Sequence, residues 1–95
     1  MIDIKFESRK IDDGSTLHVL KCVEPYYYEV EIGRKNFEIR KDDREFEYAI
    51  GDSLVLYRVK DGILTGEYIV KKVTYVLRFA EDYGLKPGFV ILSIK

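Results

Sequence analysis

Strand-forming stretches succeed one another along this chain at short spacing, with turn-forming Gly, Asp or Pro in the gaps. That cadence limits the fold more than any other feature, because it calls for a small all-β sheet rather than a helical bundle or a parallel α/β sheet. Residues 2–7, Ile-Asp-Ile-Lys-Phe-Glu, alternate apolar and charged side chains in strict period two and predict a half-buried strand. Asp12-Asp13-Gly14 is a turn signal. Residues 16–22 are apolar on both faces and predict a more buried strand, with His18, Leu20 and Cys22 sharing one face. Residues 53–60 and 67–79 are strong strand segments joined near Asp61-Gly62 and Thr65-Gly66. On the second, Ile69, Val73, Tyr75, Leu77 and Phe79 lie on one face, which Lys71 interrupts, so a bulge or a sheet edge is expected there. Gly84 and Pro87-Gly88 bracket a connection to a last strand over Phe89 to Ile94.

One segment has helical punctuation. Pro25 suits the start of a helix, where its missing N–H costs nothing, and Gly33 sits where a left-handed C-terminal residue belongs. Tyr26, Tyr27, Val30 and Ile32 supply the apolar stripe of a short helix over 25–32. Residues 36–41 then form a strand, and 42–50 a surface loop or irregular edge before the Gly51-Asp52 turn. The expectation is a mainly β (α+β) domain: a small curved sheet or barrel of five to six strands with one short covering helix. Ninety-five residues make one domain, 1–95, with enough chain for one core and not two.

Charge and cysteine usage exclude several functions. A net charge of −1 does not fit a uniformly basic nucleic-acid binder, although the cations of 34–44 leave room for a local basic groove. Cys22 is the only cysteine and His18 the only histidine, so neither an intrachain disulfide nor a multi-Cys or multi-His metal site is available, and no cofactor is expected. His18 and Cys22 on one strand face stand about 13 Å apart at the usual rise, which is too far for a nucleophile–base pair. No signal peptide or membrane-length apolar run is present in the sequence, and the expected compartment is a reducing cytoplasm without membrane association.

The densest set of chemical groups lies in Gly33-Arg34-Lys35-Asn36-Phe37-Glu38-Ile39-Arg40-Lys41, completed by Asp42, Asp43 and Arg44. Phe37 and Ile39 must point to one face of the strand and Glu38 and Arg40 to the other, and the apolar face is the expected core side. Spacing alone leaves two uses open for the charged face. Arg34 and Lys35 beyond a helix C-terminus complement its dipole, and Glu38 and Arg40 can be a solvated pair. Alternatively, Lys35, Glu38 and Arg40 wall a cleft in which Arg grips a phosphate or carboxylate and a desolvated Lys serves as base.

The wider pattern carries a resemblance. His18-x-Leu20-Lys21, then Tyr26-Tyr27, then Gly33-x-Lys35-x-Phe37-Glu38-Ile39-Arg40-Lys41-x-Asp43-Arg44-x-Phe46 resembles a small bacterial and phage family of unknown function in the ASCH group of the PUA-like superfamily. Gly51-Asp52, Thr65-Gly66, Val73 to Leu77 and Gly84-Leu85-Lys86-Pro87-Gly88 agree with it, so that it runs from about residue 18 to the end and leaves 1–17 outside. The resemblance implies a PUA-like barrel and a cleft where the Gly-x-Lys turn and the next strand face a ligand. It also implies RNA binding or the binding or processing of modified nucleosides. One similar branch hydrolyses N4-acetylcytidine with a lysine and a threonine on this segment and a glutamate elsewhere. Lys35 matches that lysine, but Glu38 occupies the threonine position and offers no hydroxyl nucleophile.

The leading expectation is therefore a binding module for RNA or a small nucleotide-like ligand. Lys35 and Arg40 contact phosphate or base edges, Glu38 accepts from a base amino group or orients Arg40, His18 lines the cleft, and Lys21 and Arg44 widen the positive surface. The rivals are a modified-nucleoside amidohydrolase with Lys35 and Glu38 as candidate catalytic groups, and a phage or mobile-element adaptor binding a protein through an exposed strand edge.

Overall fold

In the computed structural model, which describes residues 3–95, six strands form one curled sheet of order β1-β2-β4-β5-β6-β3. They are β1 (Ser8–Lys10), β2 (Thr16–Val23), β3 (Phe37–Lys41), β4 (Ser53–Lys60), β5 (Ile63–Leu77) and β6 (Phe89–Ile94). One helix, α1 (Tyr26–Glu31), and a 3-10 turn at Glu81–Tyr83 complete the elements. β5 is long enough to pair with β4 along its first part and with β6 along its last, and the sheet curls around it into a half-barrel. All the pairings are antiparallel except β2 with β4, which run parallel with α1 and β3 in the connection between them.

The inner faces follow the period-two patterns of β2, β4 and β6. Leu20 and Cys22, Leu54 and Leu56, and Val90, Leu92 and Ile94 meet in one core. The helix closes one end by adding Tyr27 and Val30 against β2 and β4, each burial being worth about 1.5–3 kcal/mol. Glu24 accepts the Tyr28 N–H at 2.8 Å in the first turn and Arg58 of β4 at 2.9 Å, which ties the helix start to the sheet. Gly33, at φ 83°, ends the helix in the left-handed conformation expected of it.

Four expectations need correction. Of the strand expected over 2–7, residue 2 lies outside the described residues, and 3–7 are not a strand; the N-terminal strand is Ser8–Lys10. Continuing the β1–β2 ladder backwards would place residue 5 opposite Lys21, whose carbonyl already accepts Arg40 at 2.8 Å. Thr65-Gly66 is not a turn. Asp61-Gly62, both with positive φ, make the two-residue hairpin, and Gly66 lies within β5 opposite a register shift between Tyr57 and Val59. The second irregularity falls between Val73 and Tyr75 rather than at Lys71. It turns the strand over, so Val73 is 1% exposed while Tyr75, Leu77 and Phe79 point outward. Finally, the 42–50 loop is not purely superficial, because Tyr48 is buried and its ring lies 4.4 Å from that of His18.

β3 occupies the other end of the sheet and pairs with β6 alone. Between β3 and β2 the barrel stays open as a seam. Arg40 reaches the Lys21 carbonyl across it at 2.8 Å, and Arg44 reaches the Val19 carbonyl at 3.0 Å, so side chains bridge where a strand ladder would close a barrel.

Candidate functional site

The face assignment expected for β3 is inverted. Phe37 and Ile39 are 42% and 50% exposed, whereas Glu38 is 3% exposed. The cause is the register with β6: Glu38 stands opposite Leu92 and Arg40 opposite Val90, and both partners face the core. Directly opposed residues share a sheet face, so the charged pair is carried inward and the apolar pair outward.

A buried carboxylate must be paired, and the preceding turn supplies the partner. The α1–β3 turn lets the Arg34 and Lys35 N–H groups both donate to the Glu29 carbonyl at 3.0 Å. That brings the Lys35 ammonium onto one Glu38 carboxylate oxygen and onto the Phe37 carbonyl at 2.8 Å. Arg40 donates to the other carboxylate oxygen through Nε at 3.1 Å and Nη2 at 2.7 Å. Glu38 is thus clamped between two cations whose side chains remain 17% and 24% exposed.

This clamp forms the floor of a cleft of about 650 Å³ that opens at the seam between β2 and β3. Lys21, Cys22 and Val23 line the β2 bank, Phe37 and Ile39 the β3 bank, and Tyr26, Glu29 and Arg34 the helix end. Four cations against two carboxylates leave the lining two charges positive, in a chain whose net charge is −1. Arg34 is held by Glu29 at 2.5 Å on the surface, and its guanidinium pushes the Glu29 carboxyl below its ordinary pKa. Lys35 lies 4.9 Å from the Phe37 ring centre and 5.8 Å from that of Tyr26, and Tyr26 is 53% exposed at the rim. The Cys22 thiol is pushed up to about 11 by burial first and by the Glu38 charge second, so it stays protonated and is not a nucleophile.

Of the six residues expected to bind ligand, Lys21, Lys35, Glu38 and Arg40 come together in the cleft. His18 and Arg44 do not line it. They belong to a buried chain of hydrogen bonds on the neighbouring part of the sheet, where His18 is 0% exposed. Arg44 Nε donates to Ser8 Oγ at 2.5 Å, Ser8 Oγ meets His18 Nδ1 at 2.6 Å, and His18 Nε2 meets Asp52 at 2.9 Å. Asp52 also accepts the backbone N–H groups of Thr16 and Ala49 at 3.0 and 2.9 Å. Burial is the largest influence on His18 and pulls its pKa below 6.5 against the opposing pull of Asp52. A neutral ring with its proton on Nε2 satisfies every member: it donates to Asp52 and accepts from Ser8, which accepts from Arg44. This network pins β1, β2 and the turn before β4 together.

Sequence reading missed the cleft's apolar banks and Asp52. Ile39 was visible only as an apolar residue of its own strand, and the Tyr26–Tyr28 run could stack on bases but read more simply as core packing. The single signal for Asp52 was its place in the Gly51-Asp52 turn, 34 residues from the histidine it holds. Among the described residues, no group of three or more His, Cys, Asp or Glu is placed to hold a metal ion, and no helix is long and apolar enough to cross a membrane.

Comparison with known proteins adds the lineage. Residues 17–94 match the family model described as a domain of unknown function, DUF3850. An uncharacterised 12.9 kDa protein in the GpA 3′ region of Escherichia phage P2 is 35% identical over 72 residues, covering 73% of this chain. The aligned part spans 64% of that phage protein's own length.

Proposed function

The chain belongs to the DUF3850 family, and we propose that it is a binding module for RNA or a nucleotide-like ligand, seated in the seam cleft over Lys35, Glu38 and Arg40. The observation that carries this reading is the clamp itself. Two cations stand at the floor of a concave site in an otherwise slightly acidic protein, and only one carboxylate lies between them. Positive charge focused in a cleft with low-dielectric walls attracts an anion more strongly than scattered surface charge does. The exposed Tyr26 ring and the Phe37 ring beside Lys35 provide flat apolar surface on which a base can stack.

The curled sheet with a helix at one end and the Gly-x-Lys turn beside the cleft support placing the domain with the PUA-like barrels and the ASCH group. The buried free thiol of Cys22 suits a reducing compartment, and the cytoplasm is the location we assign. Hydrolysis of an acylated nucleoside is the weaker reading: Lys35 and Glu38 are engaged with each other, and no Ser or Thr lies on 34–41.

A thermal-shift screen of nucleosides, nucleotides and short RNAs tests the assignment. A ligand at a hundred times its dissociation constant stabilises by about 2.7 kcal/mol. In a domain of this size that raises the melting temperature by about ten degrees or more. A screen in which no nucleoside, nucleotide or RNA moves the transition would remove the reading.

A further inference from the structure

We propose that the cleft reads a nucleobase in the base's own plane through the main chain of Ile39, whose N–H and C=O both point into the seam. This rests on the nucleotide reading above and adds how the base is recognised.

Hydrogen-bond parity fixes the direction of these groups. The Ile94 N–H donates to the Asn36 carbonyl at 3.1 Å and the Asp42 N–H to the Gly88 carbonyl at 2.8 Å. Together with the register Glu38 to Leu92 and Arg40 to Val90, this makes the even-numbered residues of β3 the ones bonded to β6. Phe37, Ile39 and Lys41 therefore turn their N–H and C=O to the free edge. On the opposite bank, the Val19 N–H donates to Glu7 and the Glu24 N–H to Val59, each at 2.9 Å. The odd-numbered residues of β2 consequently turn away from β4 and toward the same seam.

Cations have already taken three of the edge carbonyls. Lys35 holds that of Phe37, Arg40 that of Lys21 and Arg44 that of Val19. Ile39 keeps both its donor and its acceptor without a hydrogen-bond partner among the described residues, lines the cleft and is 50% exposed. A free N–H beside a free C=O complements a base edge, which presents an acceptor next to a donor: N1 and the N6 amino group of adenine, or N3 and the N4 amino group of cytosine. An incoming peptide strand needs both groups free at successive alternate residues, and with the Phe37 carbonyl held by Lys35 that run is cut to Ile39 and Lys41. A single planar heterocycle needs them at one residue only. Glu38, Lys35 and Arg40 then lie beside the base for its remaining polar atoms and its phosphate.

The test is a titration of the isotope-labelled protein with adenosine, cytidine, guanosine and uridine 5′-monophosphates, followed by amide chemical shifts. It is paired with affinities for Ile39→Pro and Ile39→Ala. Proline removes the Ile side chain and a donor that makes no ladder bond, at an edge position where it is tolerated; alanine removes the same side chain and keeps the donor. The expected result is a downfield shift of the Ile39 amide larger than those of Phe37 and Lys41. Both variants lose the Ile39 side chain from the cleft wall, so the comparison is between them: Ile39→Pro should bind about tenfold more weakly than Ile39→Ala. If the proline variant does not fold, the wild-type amide shifts decide alone. Nucleotide binding that leaves the Ile39 amide in place and survives Ile39→Pro overturns this inference and spares the nucleotide reading. Failure of all four nucleotides to bind overturns this inference, and the RNA arm of the thermal-shift screen then decides the reading it rests on. An octapeptide of alternating Glu and Val that shifts Phe37, Ile39 and Lys41 together, where nucleotides shift none, assigns the edge to strand addition instead.

Discussion

Replacing Glu38 by glutamine keeps the shape of the side chain and removes its charge, which isolates what the clamp contributes. In the wild type one carboxylate oxygen takes the Lys35 ammonium and the other takes two Arg40 donors at 3.1 and 2.7 Å. In Glu38→Gln the amide NH2 must face one of those cations, donor against donor, and two positive charges remain near each other without their anion. Breaking a fully buried ion pair costs about 3–5 kcal/mol. Here Lys35 and Arg40 are 17% and 24% exposed, so water takes over part of their solvation and the expected cost falls to about 2–3 kcal/mol. For a domain of this length that lowers the melting temperature by roughly 10–20 °C. Circular dichroism melts at pH 7 and moderate salt measure it. Ile39→Thr, on the outward face of the same strand, serves as the comparison and should cost less than about 1 kcal/mol. The same Glu38→Gln protein should bind a nucleoside monophosphate more tightly than wild type, since the floor loses its only anion. A melt within two or three degrees of wild type, or a larger loss from Ile39→Thr than from Glu38→Gln, would refute the inward placement of the charged face.

Two further outcomes follow from the buried groups. The folded pKa of His18 lies below 6.5, so the unfolded chain binds the extra proton as pH falls beneath 6.5, and stability drops there by up to about 1.4 kcal/mol per pH unit. His18→Gln lacks that proton. The stability gap between wild type and His18→Gln, measured by urea denaturation, should therefore narrow from pH 7.5 to pH 5; a gap that widens over that range would mean that the fold holds His18 protonated. Cys22, at 3% exposure and with a thiol pushed up to about 11, should react with a disulfide reagent at pH 8 only as fast as the protein opens. Labelling at the rate of a free thiol would show that the β2 bank of the cleft is open to solvent.

The strands read most closely from the sequence were uninterrupted β-forming runs, whose existence does not depend on knowing which face is inside. β2 and β6 are such runs and were found within a residue of their ends. The helix was found from its Pro and Gly brackets. The sequence of β3 shows a clear alternation but misleads about direction, because period two says which residues share a face and not which face is inside. Pairing with Leu92 and Val90, fifty or more residues away, decided it. β5 fails for a related reason: the shift between Val73 and Tyr75 exchanges faces within one strand, and no local residue marks it. For the site, the Lys35, Glu38 and Arg40 cluster was legible because all three lie within one turn and strand. The partners of His18 and Arg44 were not, since Ser8, Asp52 and the Val19 carbonyl reach them only through tertiary pairing.

The claim that the seam cleft holds an anionic, nucleotide-like ligand is tested most directly by the salt dependence of binding to a short single-stranded RNA. Wild type is compared with Lys35→Ala, which leaves the Arg40–Glu38 pair intact, and with Lys86→Ala, which removes an exposed cation outside the cleft. Each phosphate contact contributes about 0.7 to the slope of log affinity against log salt for single strands. Lys35→Ala should weaken binding and make that slope shallower by about 0.7, with Lys86→Ala matching wild type. Equal slopes and equal affinities for wild type and Lys35→Ala would contradict the account.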